Sequence, residues 1–144
     1  VRSSTNFLMI GAGPLEDEVK QKAKKLKLLD KITFTGIVSG TKKYKILKSC
    51  RLFTSASRFD TGNMALDETL ACGVPGIVYD LEHLNYPNGV TKVRIGDKTK
   101  MKKEILSLLS NTYARSQLGK QGKEFIKNYD WQIISKKILA TFPN

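Results

Sequence analysis

With 144 residues, 40% of them apolar and 26% charged, the chain is long enough for one domain around one core, and its composition is not that of a disordered segment. No apolar run approaches the roughly 20 residues needed to cross a bilayer, and the start VRSSTNFLMIGAG lacks the regions of a signal peptide. A surplus of 25 basic over 13 acidic residues gives a net charge of +12, which favours anionic partners such as phosphate, nucleic acid or acidic lipid and says little more.

In chain order, residues 6–10, NFLMI, read as a short buried strand ended by GAGP. Pro14 suits a first helical position, and LEDEVKQKAKKLKLL follows with acids first and lysines last, matching the helix dipole. KITFTGIV is a second strand with Gly36 at its turn, GTKKYKILKSC an amphipathic helix and RLFTSAS a third strand. Residues 62–72 are helical, PGIVYD is a fourth strand and VTKVRIGD a fifth. From residue 98 onward the pattern is helical, giving a C-terminal helical segment over 98–144 within a single domain over 1–144. Most lysines fall on these helices, where they form solvated faces. Cys50 and Cys72 sit at the ends of different elements, a reduced, cytosolic pattern with neither a disulfide framework nor a metal site.

Strands alternating with helices predict an α/β fold: a Rossmann-like parallel sheet with helices on both faces, its apolar strands buried on both sides. In such folds ligands bind at the carboxyl ends of strands, where helix N-termini present unpaired N–H groups. GAGP, TGIV and SRFDTGN all follow strands.

SRFDTGNMALDETLACGVP spans residues 57–75. If its helix starts near Gly62 or Asn63, the N–H groups of Gly62, Asn63 and Met64 are free to bind an anion. Asp60 lies just outside, with Asp60 or Thr61 as the cap, while Glu68 lies about a turn and a half inside on the face of Met64 and Ala71. Gly73 ends the helix and Pro75 follows. Read plainly, Asp60 is a cap and Glu68 a surface acid facing a lysine. The functional alternative makes both carboxylates acceptors for sugar hydroxyls, beside amides that hold a phosphate.

The stretch resembles the signature of retaining glycosyltransferases of the GT-B fold, glycosyltransferase family 4: a serine, an acid, seven residues, a glutamate, then Ala-Met-Ala-x-Gly-x-Pro. FLMIGAGP, FTG, VPGIVYD, VRIGD and QLGKQGKEFIKNYDW resemble other stations of that family in the same order, so the likeness covers residues 6 to about 135. It implies the C-terminal, nucleotide-sugar-binding half of the enzyme. Asp60 would be the catalytic residue and contact donor-sugar hydroxyls, Glu68 would hold the ribose, and the amides of Gly62, Asn63 and Met64 would support the diphosphate. Gly36, Ile37 and Val38 would flank the base, and Gly11 and Gly13 would keep the first loop close to the donor. The substrate would be a UDP-, GDP- or ADP-sugar, with no cofactor and no metal, because helix dipole and basic side chains neutralise the leaving diphosphate.

Three departures stand out: Asp60 replaces the commoner glutamate, TGN alters the usual glycine spacing, and Gly76 replaces a valine, which implies close backbone packing. The family's arginine and lysine for the diphosphate lie on a segment before FLMIGAGP that has no counterpart here, and Arg2 does not take their place. The N-terminal acceptor domain is also missing. The chain therefore reads as an inactive fragment of a longer transferase, with residues 6–10 and 51–55 either pairing directly or flanking a gap.

The resemblance and charge place the protein in the cytoplasm, with peripheral association at the inner face of a membrane. His83 and Asp80 read as ordinary loop residues with a donor-side contact as the alternative, Trp131 as core or a helix-start staple, and Cys72 as a small buried hydrophobe. Lys42 and Lys43 could add phosphate attraction. Competing readings are a sugar-nucleotide epimerase of GT-B-like fold and a basic nucleic-acid-binding module. The second lacks interleaved aromatic and basic residues, a helix-turn-helix signal and zinc spacing, so no nucleic-acid partner is expected.

Overall fold

The computed structural model describes residues 5–142; Arg2 lies outside them. Among the described residues the strands and α-helices follow the order the sequence predicts. They are β1 (Phe7–Met9), α1 (Glu16–Lys25), β2 (Ile32–Phe34), α2 (Gly40–Ser49), β3 (Phe53–Ser55), α3 (Met64–Ala71), β4 (Gly76–Tyr79), β5 (Val90–Val93), α4 (Lys98–Ser110), α5 (Thr112–Ile126) and α6 (Trp131–Leu139). All strand pairs are parallel. The fold is α/β, as expected. The stretch expected to be a single domain divides into two compact units, Val1–Lys43 and Tyr44–Asn144.

In the first unit β1 pairs with β2, Phe7 opposite Ile32 and Met9 opposite Phe34. Helix α1 begins with Glu16, Asp17 and Glu18 and ends with Lys22, Lys24 and Lys25, so its charges follow the dipole. Lys20 pairs with Glu16 at 2.6 Å. It starts two residues after Pro14, because Gly13 and Pro14 form the entering turn, with the Gly13 carbonyl accepting from the Glu16 N–H at 3.1 Å. The expectation of a strand buried on both sides is corrected at β1. Phe7 is 47% exposed and Met9 42% exposed. Two strands and one helix cannot cover both faces of a sheet, and among the described residues β1 has no other strand partner.

The second unit holds the main core. Its strand order is β3-β4-β5, and all four residues of β4 are buried. Alternation along β4 builds two layers. Ile77 and Tyr79 pack with Val93, Met101 and Leu108 on one face, while Val78 packs with Leu66 and Leu70 of α3 on the other. Gly76 makes this possible, since a Cβ there would lie 2.5 Å from Leu66 Cδ1. The predicted close packing at Gly76 is thus observed.

Helix α5 approaches closely for the same reason. A Cβ on Gly119 would lie 2.1 Å from the Gly73 carbonyl oxygen. Asp97, Asn111 and Asp130 cap α4, α5 and α6 through the N–H groups of Lys100, Ala114 and Gln132.

β1 and β3 belong to different sheets and do not pair, and among the described residues no strand of this chain stands between them in either sheet order. Each therefore leaves one edge of its own sheet open. Cys50 and Cys72 are free thiols. Cys72 caps the C-terminus of α3 half-buried, not buried as expected, because the helix ends there at the surface.

Candidate functional site

The loop between β3 and α3 is shaped by two short polar side chains. The half-buried Asp60 accepts through Oδ1 from the N–H groups of Gly62 at 3.2 Å and Asn63 at 2.7 Å. Asn63 adopts a left-handed conformation with φ of +34°, which asparagine tolerates better than most residues. From there its Oδ1 accepts from the Leu66 N–H at 3.3 Å, which caps α3.

Two expectations are corrected here. The helix cap is Asn63, not Asp60 or Thr61, and the amides of Gly62 and Asn63 are not free, because the nearby carboxylate satisfies them. The first-turn N–H groups of Met64 and Ala65 have no partner among the described residues. Asp60 Oδ2 has none either. One carboxylate oxygen thus organises the loop and the other stays available as an acceptor.

Glu68 follows one turn into α3, half-buried. With Asp67, Ala71, Tyr44, Lys123 and Trp131 it lines an open hollow of about 570 Å³. Asp60 does not line this hollow, and neither does Met64, which is 75% exposed. Asp60 and Glu68 nevertheless share an electrostatic neighbourhood through Asp67. Burial pushes the Asp67 carboxyl above the usual carboxylate range, a hydrogen bond from Tyr86 opposes this, and the charges of Asp60 and Glu68 raise it further.

The Tyr86 hydroxyl donates to Asp67 Oδ1 at 2.8 Å. Burial and that carboxylate hold the phenol well above its ordinary range. Tyr86 also meets Phe125 of α5 edge-on. Neither Asp67 nor Tyr86 stands out in the sequence; the signal that could have found Tyr86 is its place before the Pro-Asn-Gly turn, at the end of a rim loop.

His83 sits in the same loop. Its Nε2–H donates to the Asp60 carbonyl at 2.5 Å, so this residue, which the sequence left between an ordinary loop role and a donor-side contact, touches the candidate acid's backbone. Asp80 pairs with Lys92 at 3.3 Å, and Lys92 also donates to the Leu84 carbonyl at 2.9 Å. Trp131 is 79% exposed, which corrects the expectation of a core residue or staple. It occupies the first turn of α6, a helix with no buried residue.

The remaining predicted residues lie in the first unit. Gly11 and Gly36 come together, the Gly11 N–H donating to the Gly36 carbonyl at 2.9 Å, and both have positive φ, +127° and +64°. Such a pair of turns suits glycine. Gly13 forms the entering turn of α1, Ile37 is 83% exposed and Val38 is half-buried. Lys42 and Lys43 fall in the first turn of α2. The two sets of rim loops follow parallel strands in their respective units.

A family model described as Glycosyl transferases group 1 matches residues 1–125. The alpha-monoglucosyldiacylglycerol synthase of Streptococcus pneumoniae is 31% identical over 79 residues, 55% of this chain and 18% of that protein. The phosphatidyl-myo-inositol mannosyltransferase of Mycobacterium leprae is 24% identical over 141 residues, 94% of this chain and 37% of that protein. The crystal structure of Anabaena Alr3699/HepE in complex with UDP superposes with a TM-score of 0.83 at 16% identity, covering 95% of this chain and 40% of that one. That likeness is one of fold, the Rossmann-like half of a GT-B structure. The chain spans between 18% and 37% of the lengths of these curated relatives.

Proposed function

From the premise that the chain belongs to the group 1 glycosyl transferases, we propose that it is the donor-binding half of a retaining glycosyltransferase, which moves a hexose from a UDP-, GDP- or ADP-sugar to an acceptor. The observation that carries the reading is the division of labour at Asp60: Oδ1 holds the loop amides while Oδ2 remains open beside the free first-turn amides of α3. Asp60 Oδ2 accepts from hydroxyls of the donor sugar. Glu68 accepts from the ribose hydroxyls, two adjacent groups that one carboxylate can grip.

The leaving diphosphate gains negative charge as the glycosidic bond breaks. N–H groups at a helix N-terminus, aided by roughly half a unit of positive charge, stabilise that charge more than the ground state. In this reading Met64 and Ala65 supply the N–H groups for the diphosphate, since those of Gly62 and Asn63 already donate to Asp60. The sugar passes through an oxocarbenium-like transition state, its hydroxyls fixed by Asp60.

The acceptor half lies on a domain outside this chain, and the open edges of β1 and β3 take strand partners from outside it. The isolated chain then transfers no sugar, and sugar transfer by it would contradict this. A lipid-linked acceptor at the cytoplasmic face of an anionic membrane is supported by the net charge of +12 and by two relatives named for glycolipid synthesis. The association in this reading is peripheral; among the described residues no helix is long and apolar enough to cross a membrane.

A thermal-shift panel of UDP-glucose, GDP-mannose and ADP-glucose on the full-length protein tests the reading. At least one should raise the melting temperature by mass action, and Glu68→Ala should lose most of that rise. No shift with any of them, or an undiminished shift in Glu68→Ala, would reject it.

A further inference from the structure

We infer that His83 is a positioning residue for Asp60: its ring N–H fixes the backbone from which the donor-facing carboxylate projects. The inference rests on the donor role proposed for Asp60. Residues 56–62 form a loop with little packing of its own; Phe59 is 77% exposed and Arg58 is exposed. Their other hydrogen bonds are local, from Ser57 to Ser55 and from Gly62 and Asn63 to Asp60. Among the described residues, the one hydrogen bond that reaches this loop from a distant part of the chain is that of His83, 23 positions away.

The loop that carries His83 does not need this bond for its own anchorage. Lys92 holds it at the Leu84 carbonyl, and Tyr86 holds it to α3 through Asp67. On the other side of residue 83, Asp80 pairs with Lys92 and its N–H donates to the Val93 carbonyl, so the loop is a fixed post and the bond from His83 acts outward on Asp60. Asp60 is then held at two points: its carbonyl by His83 and its Oδ1 by the Gly62 and Asn63 amides. Together they fix the direction of Oδ2. A carbonyl can only accept, so the bond requires a hydrogen on Nε2.

Asp60→Asn, His83→Phe and His83→Gln test this in the full-length protein. Phenylalanine keeps a planar ring and removes the donor, while glutamine restores an N–H. Asp60→Asn keeps an oxygen for the loop amides but turns the open acceptor into a donor. Calorimetric titration compares UDP-glucose, GDP-mannose and ADP-glucose with UDP, GDP and ADP. For the nucleotide sugar that binds, His83→Phe should weaken affinity roughly fivefold and His83→Gln should return it to within about twofold of wild type. Affinity for the matching free diphosphate should change by less than about twofold in both, because the sugar is what Asp60 grips.

Normal nucleotide-sugar affinity in His83→Phe, with affinity lost in Asp60→Asn, would overturn the positioning role and leave the donor reading intact. No recovery in His83→Gln would show that the N–H is not the cause, and equal losses for sugar and diphosphate would mark a merely structural role; either overturns the inference. Unchanged affinity in Asp60→Asn, or no nucleotide sugar bound by wild type, would reject the donor reading itself and the inference with it.

Discussion

β4 and β1 are short apolar strands that follow the same grammar, each pairing in parallel and each ending at a glycine-bearing or polar rim. β4 is buried along its whole length, between the Leu66–Leu70 layer and the Met101–Leu108 layer. β1 exposes every residue. The difference teaches that an apolar strand in a sequence records the environment it needs, while burial depends on how much covering structure the same chain supplies. Helices α3, α4 and α5 cover the second unit. The first unit has one helix of its own ahead of α2 and leaves its apolar strand bare.

Truncation should separate the two strands most sharply. Leu66→Ala, opposite Gly76, should cost about 3 kcal/mol in chemical denaturation, whereas Leu8→Ala in β1 should cost less than about 1 kcal/mol. Equal costs would break the comparison. Overpacking probes the same core from the helix side: Gly119→Ala puts a methyl group against the Gly73 carbonyl and should cost about 2 kcal/mol. A neutral result in the same assay would mean that α5 can withdraw without loss.

The rim of the second unit should respond more mildly. Asn63→Ala loses the α3 cap and strains a left-handed backbone, and should cost about 1.5 kcal/mol by denaturant midpoint. Asn63→Gly, which relieves the strain but not the lost cap, should recover part of this. If glycine is no better than alanine, the left-handed turn contributes nothing.

The smallest effect is the pH response of Asp67. Its carboxyl is raised above the ordinary value of 3.8, so the folded chain holds that proton more tightly than the unfolded chain. The resulting penalty is absent below 3.8, grows as pH rises through the raised folded value and is fully present above it. Asp67→Asn keeps an oxygen for Tyr86 and removes the ionisation. It should raise the melting temperature at pH 7 by about 1–2 °C and flatten the profile in the acid range. A lower melting temperature at pH 7 with the acid slope unchanged would contradict the assignment.

The alternation of strands and helices is legible in the sequence because period, glycine turns and end charges agree at nearly every element, as in α1 with its acids first and lysines last. The acids of the rim are legible too, since Asp60 and Glu68 flank a helix start that Gly73 and Pro75 close. What stayed hidden is non-local or depends on rotamer. Nothing near Asn63 says that it, rather than Asp60 or Thr61, takes the cap, because all three can accept an N–H. Nothing near His83 says that its ring reaches a carbonyl 23 positions away. Trp131 reads as core by type, yet it stands at a helix start with no covering layer among the described residues.

The proposal that residues 60–68 receive a nucleotide sugar is most directly tested by amide hydrogen exchange of the full-length protein, with and without saturating nucleotide sugar. New protection should fall on Met64 and Ala65, whose N–H groups have no partner among the described residues, while Gly62 and Asn63 change little because Asp60 already holds them. Bound ligand that protects other peptides and leaves Met64 and Ala65 exchanging at their unliganded rate would contradict the account.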